Sequence, residues 1–528
     1  METYYSSIFN EVFGPVMVGT SSSHTAGPYR IGAMARMLLK DPVKKGRISF
    51  DPNSSYASYY KLQWSDRGFV AGLLGLAIDS EDMTDSLKIA EEKGVAIDFV
   101  IEEKDNKEPN YAYFDLESEN GFKLKLGTTS IGGGAIEIIE IDGYPICIRG
   151  DFNTLFLYVN DKVDEVKKSA EQIIGGQCTI KELKKDAECL LCIETREFLK
   201  EDKLDALGQI ENVVKVRYTE HVLPVLSQFV YEGIPFRTAE EALAYGEKNN
   251  ILSAGELRIQ YEMKRSGYSR EKVMDLMKNI IRVMRESAHR GIENKTGEKI
   301  GGLYPIKAAE MFDNVKNGSK KLAGIGILNE IVCVAIGVLE SVEIERPGAV
   351  VASPTVGSVG ILPAAVVYLG DSMNMSDDEI AMAMFAAGSV GTFVAHQATF
   401  GGEVAGCQAE CGSAGAMAAA GIVELMGGTA TQAFMAATIT IQNILGQICD
   451  AVSVGYEPCN ARNALSVSNA LSTANMVLCG FTVEIPLDET IETMNRVGRQ
   501  LPTCLKGTYG GLCCTPTGQK IARICEGE

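Results

Sequence analysis

Positive charge is almost missing from one long stretch of this 528-residue sequence: between Arg346 and Arg496 the only Lys or Arg is Arg462. Solubility does not explain a lone guanidinium in an acidic and apolar region. Arg is the natural bidentate partner of a carboxylate, so Arg462 is read as facing a substrate or a metal centre. The other reading is an ion pair with a buried Asp or Glu. Bases are short overall as well. Fifty Lys and Arg against 69 Asp and Glu leave a formal charge of -19, which argues against nucleic acid or an anionic membrane as partner. The basic start and apolar core of a signal peptide are absent from Met1-Glu-Thr-Tyr-Tyr, so a cytoplasmic protein is expected. Fourteen cysteines in so long a chain lack the density of a disulfide scaffold and fit the same reducing compartment. Two stretches are long and uncharged, Gly348 to Gly370 and Leu425 to Cys449, and the second has no orienting Lys or Arg flank. Pro354 and Pro363 interrupt the first, and Thr429, Thr431, Thr438, Gln442 and Asn443 the second, so both are read as a buried helical bundle.

A chain of this length exceeds what one hydrophobic core supports, and two or three domains are expected. Ser22-Ser23-His24-Thr25-Ala26-Gly27-Pro28 reads as a polar loop leading into a helix over Tyr29–Leu38. Thr128–Gly134 reads as a flexible loop feeding a strand over Ala135–Ile141. The pattern then changes to short alternating units. Leu155–Val159, Thr179–Leu183, Cys189–Glu194 and Val213–Tyr218 read as strands, with helices over Val163–Ile174 and Lys203–Gln209. That order is the split βαβ plan and looks like an ACT-type regulatory module. Helices dominate from about residue 236, one opening at Thr238 with a capping-box spacing to Glu241, another running over Ser269–Gly291.

Three cysteines stand where apolar segments break beside polar groups: Gly-Cys407-Gln-Ala-Glu, Ile-Cys449-Asp and Pro-Cys459-Asn-Ala-Arg-Asn. Thiolates on separate turns can converge on one soft metal centre and leave a coordination position open for chemistry. Buried structural thiols are the competing reading, since no C-x-x-C pair marks the site.

Taken together, these segments resemble the iron-sulfur-dependent L-serine dehydratases over nearly the full length. The resemblance rests on Ser21–Thr25, Gly132-Gly133-Gly134, Ser353–Pro363, Gly406–Glu410, Pro458–Asn463, Gly510-Gly511-Leu512 and Thr515–Gly518. It implies an α+β small domain at 1–148, the ACT-like (βαββαβ) module at 149–225, and a predominantly α-helical cluster-binding domain at 236–528. It implies a [4Fe-4S] cluster held by Cys407, Cys449 and Cys459, with Cys525 a candidate fourth ligand from the tail. Pyridoxal phosphate is not expected. The implied reaction removes water from L-serine and ends in pyruvate and ammonia, with the open iron acting as a Lewis acid. Ser22, Ser23, His24, Thr25, Gln63 and Asp66 are the candidate catalytic set, His24 as the proton shuttle. Thr355, Ser358, Arg462 and Asn463 are candidates for holding substrate. Asp450 and Glu410 would orient groups around the cluster, and Asn460 is a cap or turn residue. Of the other histidines, His221 and His289 read as surface residues and His396 as a buried structural one.

The chain departs from the family in one telling place. Gln63 stands where many members have the histidine of a His-Gly-Thr-Asp segment, and Trp64, the single tryptophan, replaces the glycine. Gln cannot take up a proton at neutral pH. Leu505-Lys506-Gly507-Thr508 replaces an expected Arg-Glu-Thr. Another β-substituted amino acid, such as L-cysteine or a larger β-hydroxy acid, is therefore a competing substrate. A catalytically silent, amino-acid-sensing iron-sulfur protein is a competing role. A small-molecule effector is expected at the ACT-like module, with no nucleic acid or membrane partner. A homodimer is expected, with an active site at the interface of the first and third domains.

Overall fold

Alternating apolar residues in the first half and Ala/Gly-rich helices in the second produce two different cores in the computed structural model. It describes residues 5–104, 110–185, 188–228, 234–319, 322–323, 326–450, 452, 456–506 and 510–526. Gly507 and Thr508 of the departing tail segment lie outside these residues, as does the side chain of Cys525. The chain divides into two compact units, one of Ser23–Val230 and one of Met1–Ser22 with Tyr231–Glu528.

In the first unit, helix α1 (Gly27–Leu39) precedes β1 (Val43–Phe50), and α2 (Ser65–Leu74) packs on α1. Strands β2 (Ala96–Ile101), β3 (Tyr111–Ser118), β4 (Lys123–Gly132), β5 (Ala135–Ile141) and β6 (Tyr144–Ile148) complete a sheet of order β2-β1-β3-β4-β5-β6. Only β1 and β2 run parallel. The expected loop over Thr128–Gly134 is a correction. Thr128, Thr129 and Ser130 lie inside β4, buried, and only Gly133 and Gly134 turn the chain. Threonine favours a pleated strand once its hydroxyl has a partner, and Thr128 donates to Ala112 O at 2.8 Å.

The next six elements follow the expected order: β7 (Asn153–Val159), α3 (Val163–Ile174), β8 (Cys178–Lys185), β9 (Glu188–Thr195), α4 (Glu201–Gly208) and β10 (Val213–Thr219). They form an antiparallel sheet of order β10-β7-β9-β8. Every residue of β7 is buried, because both faces of this sheet are covered. Leu155, Leu157, Leu191 and Ile193 pack under α3 and α4, while Phe156, Tyr158, Leu190 and Cys192 join the core of the larger sheet. Buried Arg217 ties the two further, bonding Asp142 at 3.0 Å and Leu38 O at 2.7 Å. One face of the small sheet thus joins the core of the larger one, while its other face keeps a core of its own.

The second unit gathers α5 (Ala239–Asn249), α6 (Ala254–Ser266), α7 (Arg270–Glu293), α8 (Ala308–Lys316) and α9 (Ile327–Glu340) around α10 (Asp377–Gln397) and α11 (Ser413–Leu425). Helices α12 (Ala430–Gln442), α13 (Tyr456–Leu478), α14 (Leu487–Gln500) and α15 (Pro516–Glu526) follow. Helix α10 is long and apolar enough to cross a membrane, but 78% of its apolar window is buried inside the protein. The N-terminal residues also belong here, although they were expected with the small domain. Glu262 of α6 accepts from Ser7 Oγ at 2.7 Å and from Ile8 N at 3.0 Å, and Phe9 meets Phe385 edge-on. A buried carboxylate with those two donors anchors the segment where sequence periodicity is silent.

Candidate active site

Three segments of the helical unit bring thiols together. Gly406, at φ +79°, leads into Cys407; a Cβ there would lie 2.5 Å from Gln447 O, so glycine suits both the backbone and the space. Cys407 begins the π-turn Gln408–Gly412 that runs on into α11. Gln408 holds the next strand of the site alongside, accepting from Gly446 N at 2.9 Å. Cys449 is pinned by its own N–H to Leu505 O at 2.9 Å, and Cys459 sits in the first turn of α13. The sulfurs of Cys407 and Cys449 and a carboxylate oxygen of Glu410 lie within 4.8 Å of one another.

Arg462 points its Nη1 at Cys407 Sγ, 3.3 Å away, and its Nη2 donates to Asp450. Arg462 therefore pairs with a buried carboxylate, the second of its two readings, and also lies beside a thiol. Thiols of Cys411 and Cys449 donating to Cys407, with the Arg462 charge, hold the Cys407 thiol well below its usual range despite burial. Donating to Cys407 pushes Cys411 and Cys449 well above theirs, and burial does the same to Cys459. Burial, and then the Cys407 charge, raise Glu410 well above the usual carboxylate range. Glu410 fits only because Gly402 lacks a side chain; a Cβ there would meet its Oε2 at 2.5 Å.

Thr355 bonds the Glu410 carboxyl and Ser358 Oγ, and Ser358 caps its own turn by donating to Ser353 O at 3.2 Å. Both ends of the Asn463 amide are engaged by backbone. Its Nδ2 donates to Gly357 O at 2.8 Å and Cys459 O at 3.0 Å, and its Oδ1 accepts from Gly360 N at 3.2 Å. Ser358 and Asn463, expected as substrate ligands, also serve as struts of the site, because their polar atoms satisfy buried backbone groups. Sequence reading missed Cys411 and Glu343. Cys411 follows Cys407 by four residues, the spacing of one helical face, so a signal was present. Glu343 carries none; its buried Oε2 has no hydrogen-bond partner, and burial beside Glu340 raises it well above the carboxylate range.

Where the chain passes into the other unit, Ser22–Ala26 form a π-turn in which His24 and Thr25 are buried. His24 Nδ1 lies 2.9 Å from Ser23 Oγ, and Nε2 lies 2.9 Å from Ser55 Oγ. Burial lowers its pKa to about 4, so His24 is neutral at pH 7 and does not titrate near neutrality as expected. Thr25 donates to Gln63 O at 2.8 Å, which couples the entry of α1 to that of α2. A Cβ on Gly68 would lie 2.4 Å from Thr25 O, so glycine permits this approach. Asp66 accepts from Arg67 N at 2.7 Å, yet burial pushes it up to about 6. Of the remaining histidines, His289 follows the expectation and the other two fall between surface and core. His289 is exposed, His221 is half-buried against Asn153 Oδ1 at 3.0 Å, and partly buried His396 faces Tyr261 Oη at 3.5 Å.

Comparison with known proteins gives these sites a family. The serine dehydratase alpha chain family matches residues 248–513. The probable L-serine dehydratase alpha chain of Bacillus subtilis (strain 168) is 36% identical over 290 residues, 54% of this chain and 94% of that protein. The probable beta chain from the same organism is 33% identical over 217 residues, 40% of this chain and 97% of its own length. L-serine dehydratase 1 of Escherichia coli (strain K12) aligns over 512 residues at 26% identity, covering 94% of this chain and 96% of that protein. With both kinds of relative covered almost end to end, the chain belongs to the iron-sulfur-dependent L-serine dehydratase family, its β and α parts fused in one polypeptide.

Proposed function

We propose that this protein is a dehydratase that converts L-serine to pyruvate and ammonia with the help of a [4Fe-4S] cluster. The observation that carries the reading is the convergence of Cys407 and Cys449, with Cys459 electrostatically coupled to them, beside a lone guanidinium. Thiolates are the ligands such clusters take, and the surroundings of Cys407 favour its thiolate by lowering its pKa, so the donor set fits the group. When bound, the cluster supplies a Lewis-acid iron that polarises the bond from the β-carbon to its hydroxyl. The names of the relatives support L-serine as the substrate.

The chain's own residues have three tasks. Arg462 and Asp450 form a buried pair that keeps positive charge against Cys407 Sγ and holds the thiol turns in place. Burial and the Cys407 charge both disfavour a second negative charge on Glu410 beside that sulfur. His24 is the candidate receiver of the α-proton: neutral at pH 7, it keeps one ring lone pair, whereas Gln63 has no proton-accepting nitrogen. Loss of the α-proton and of hydroxide leaves an aminoacrylate, which tautomerises and hydrolyses to pyruvate and ammonia. The sheet order β10-β7-β9-β8 supports a regulatory, ACT-like reading of residues 153–219, with a small amino acid as effector.

The test is anaerobic reconstitution with iron and sulfide, then assay of keto acid and ammonia from L-serine, D-serine, L-threonine and L-cysteine. Pyruvate from L-serine, abolished in Cys407→Ala, is the expected result. Turnover of L-cysteine or L-threonine alone would move the substrate, and a reconstituted cluster with no turnover on the panel would favour a sensor. Air is expected to strip iron and activity together; full activity in air without added iron or thiol would sink the cluster mechanism.

A further inference from the structure

The surroundings of His24 contain a directional chain of hydrogen bonds. Asn110 is buried, and its Nδ2 donates to Ser130 O at 3.2 Å. Ser130 N returns a bond to Asn110 O at 3.3 Å, so residue and strand hold each other. Turning the amide over would set Oδ1 against a carbonyl oxygen, so the group facing Ser55 is Oδ1, an acceptor. Ser55 Oγ donates its single proton to that oxygen. Only a lone pair of Ser55 then faces His24 Nε2, 2.9 Å away, and that nitrogen must carry the ring proton. In a neutral imidazole the other nitrogen is then bare, and Nδ1 accepts from Ser23 Oγ at 2.9 Å. The edge of the ring against Tyr56, centroids 5.2 Å apart, fixes its plane.

We propose that Ser55 and Asn110 are positioning residues that lock His24 in its Nε2–H tautomer, so that the nitrogen able to take a proton is Nδ1, reached through Ser23 Oγ. This rests on the dehydratase reading above. Ser55 and Asn110 act through the imidazole, setting which atom is basic. A relay of Ser55 and Asn110 has no carboxylate, so it orients His24 without stabilising a charged ring, which suits a base that must give its proton up again.

The experiment is 15N NMR of the full chain labelled at histidine, cluster-free and reconstituted, with the four histidines sorted by a His24→Gln sample. Wild type is expected to show a protonated Nε2 and a bare Nδ1. Ser55→Ala and Asn110→Ala are expected to lose that preference, and Ser55→Thr to keep it. In turnover, Ser55→Ala is expected to lower kcat roughly 10- to 100-fold, part of the ~10²–10⁴ that general base catalysis supplies, with little change in KM. Ser55→Thr is expected to restore most of it. An Nδ1–H tautomer in wild type overturns the proposal even if every variant misfolds. So does an unchanged kcat in a folded, active Ser55→Ala enzyme. Absence of any L-serine turnover by wild type defeats the dehydratase reading instead, and the ring tautomer still decides the relay.

Discussion

Arg462 shows how one side chain can serve two ends. Its guanidinium balances Asp450 and faces the Cys407 sulfur, with only 12% and 4% of the two paired side chains exposed. Removing the cation leaves a buried carboxylate unpaired, a loss of about 3–5 kcal/mol. Arg462→Gln is therefore expected to lower both the urea midpoint and the iron bound per chain after reconstitution, and normal iron at normal stability would refute the dual role. Among the neighbouring thiols, Cys411 is a donor to Cys407 and to Gly357 O at 3.7 Å. If Cys407, Cys449 and Cys459 are the ligands, Cys411→Ser keeps the iron content while Cys459→Ser loses it, a comparison read by iron and sulfide analysis. Asp66 makes a pH prediction. Burial raises it from 3.8 to about 6, so above pH 6 the fold must hold an anion that its surroundings disfavour. Below pH 3.8 both folded and unfolded forms are protonated and the difference disappears. Asp66→Asn is expected to be more stable than wild type by about 2 kcal/mol at pH 8 and equal to it at pH 3.5, measured by urea unfolding.

At the scale of elements, Asn463 is the tie between α13 and the turn that carries Gly357 and Gly360. A Cβ on Gly360 would lie 2.0 Å from Ala335 O, so this turn is pressed against α9 and has no room to move away. Asn463→Ala removes a partner from three buried backbone groups and is expected to cost about 2–4 kcal/mol, with weaker retention of iron because Cys459 O loses its bond to the Asn463 amide. A denaturation midpoint within error of wild type would show that the tie is slack. The elements themselves were largely legible. The helix over Val163–Ile174 agrees end for end, since its amphipathic period and the glycine after it are both local signals. Thr238 caps Glu241 N at 3.2 Å as its spacing suggested. The loop expected over Thr128–Gly134 is strand as far as Gly132, since only Gly133 and Gly134 turn, and the partner of the Thr128 hydroxyl lies on another strand.

For the whole molecule, each unit contains one histidine that burial forces to stay neutral. His24 and His396 both fall from 6.5 to about 4, the second also repelled by Arg258, Arg237 and Arg265. Their unfolded forms take up protons as pH drops below 6.5 and their folded forms do not, so stability is full above 6.5 and falls towards pH 4. Each contributes at most about 3 kcal/mol of acid sensitivity. His396→Gln is expected to flatten the fall in stability between pH 6.5 and pH 4.5, and an unchanged slope would mean that the imidazole titrates normally. Asp66 pulls the opposite way over part of this window, so the double variant with Asp66→Asn is the cleaner measurement. The two sheets of the first unit were read as separate domains because each has its own turns and periodicity. Only the packing reveals that Phe156 and Tyr158 project from the small sheet into the core of the larger one.

What the sequence by itself determined is what local chemistry encodes: the βαββαβ order, the helix caps, and the candidacy of Cys407, Cys449, Cys459 and Arg462. Family membership also came from short motifs whose residues lie next to one another in the chain. Only the tertiary structure decided which polar atoms are already committed. Ser358 and Asn463 were given to backbone, Arg462 to Asp450 and Cys407 together, and Cys411 to the thiol group. It also decided protonation, because the pKa values of His24, Asp66 and Glu410 are set by burial, and burial is made by segments far away in sequence.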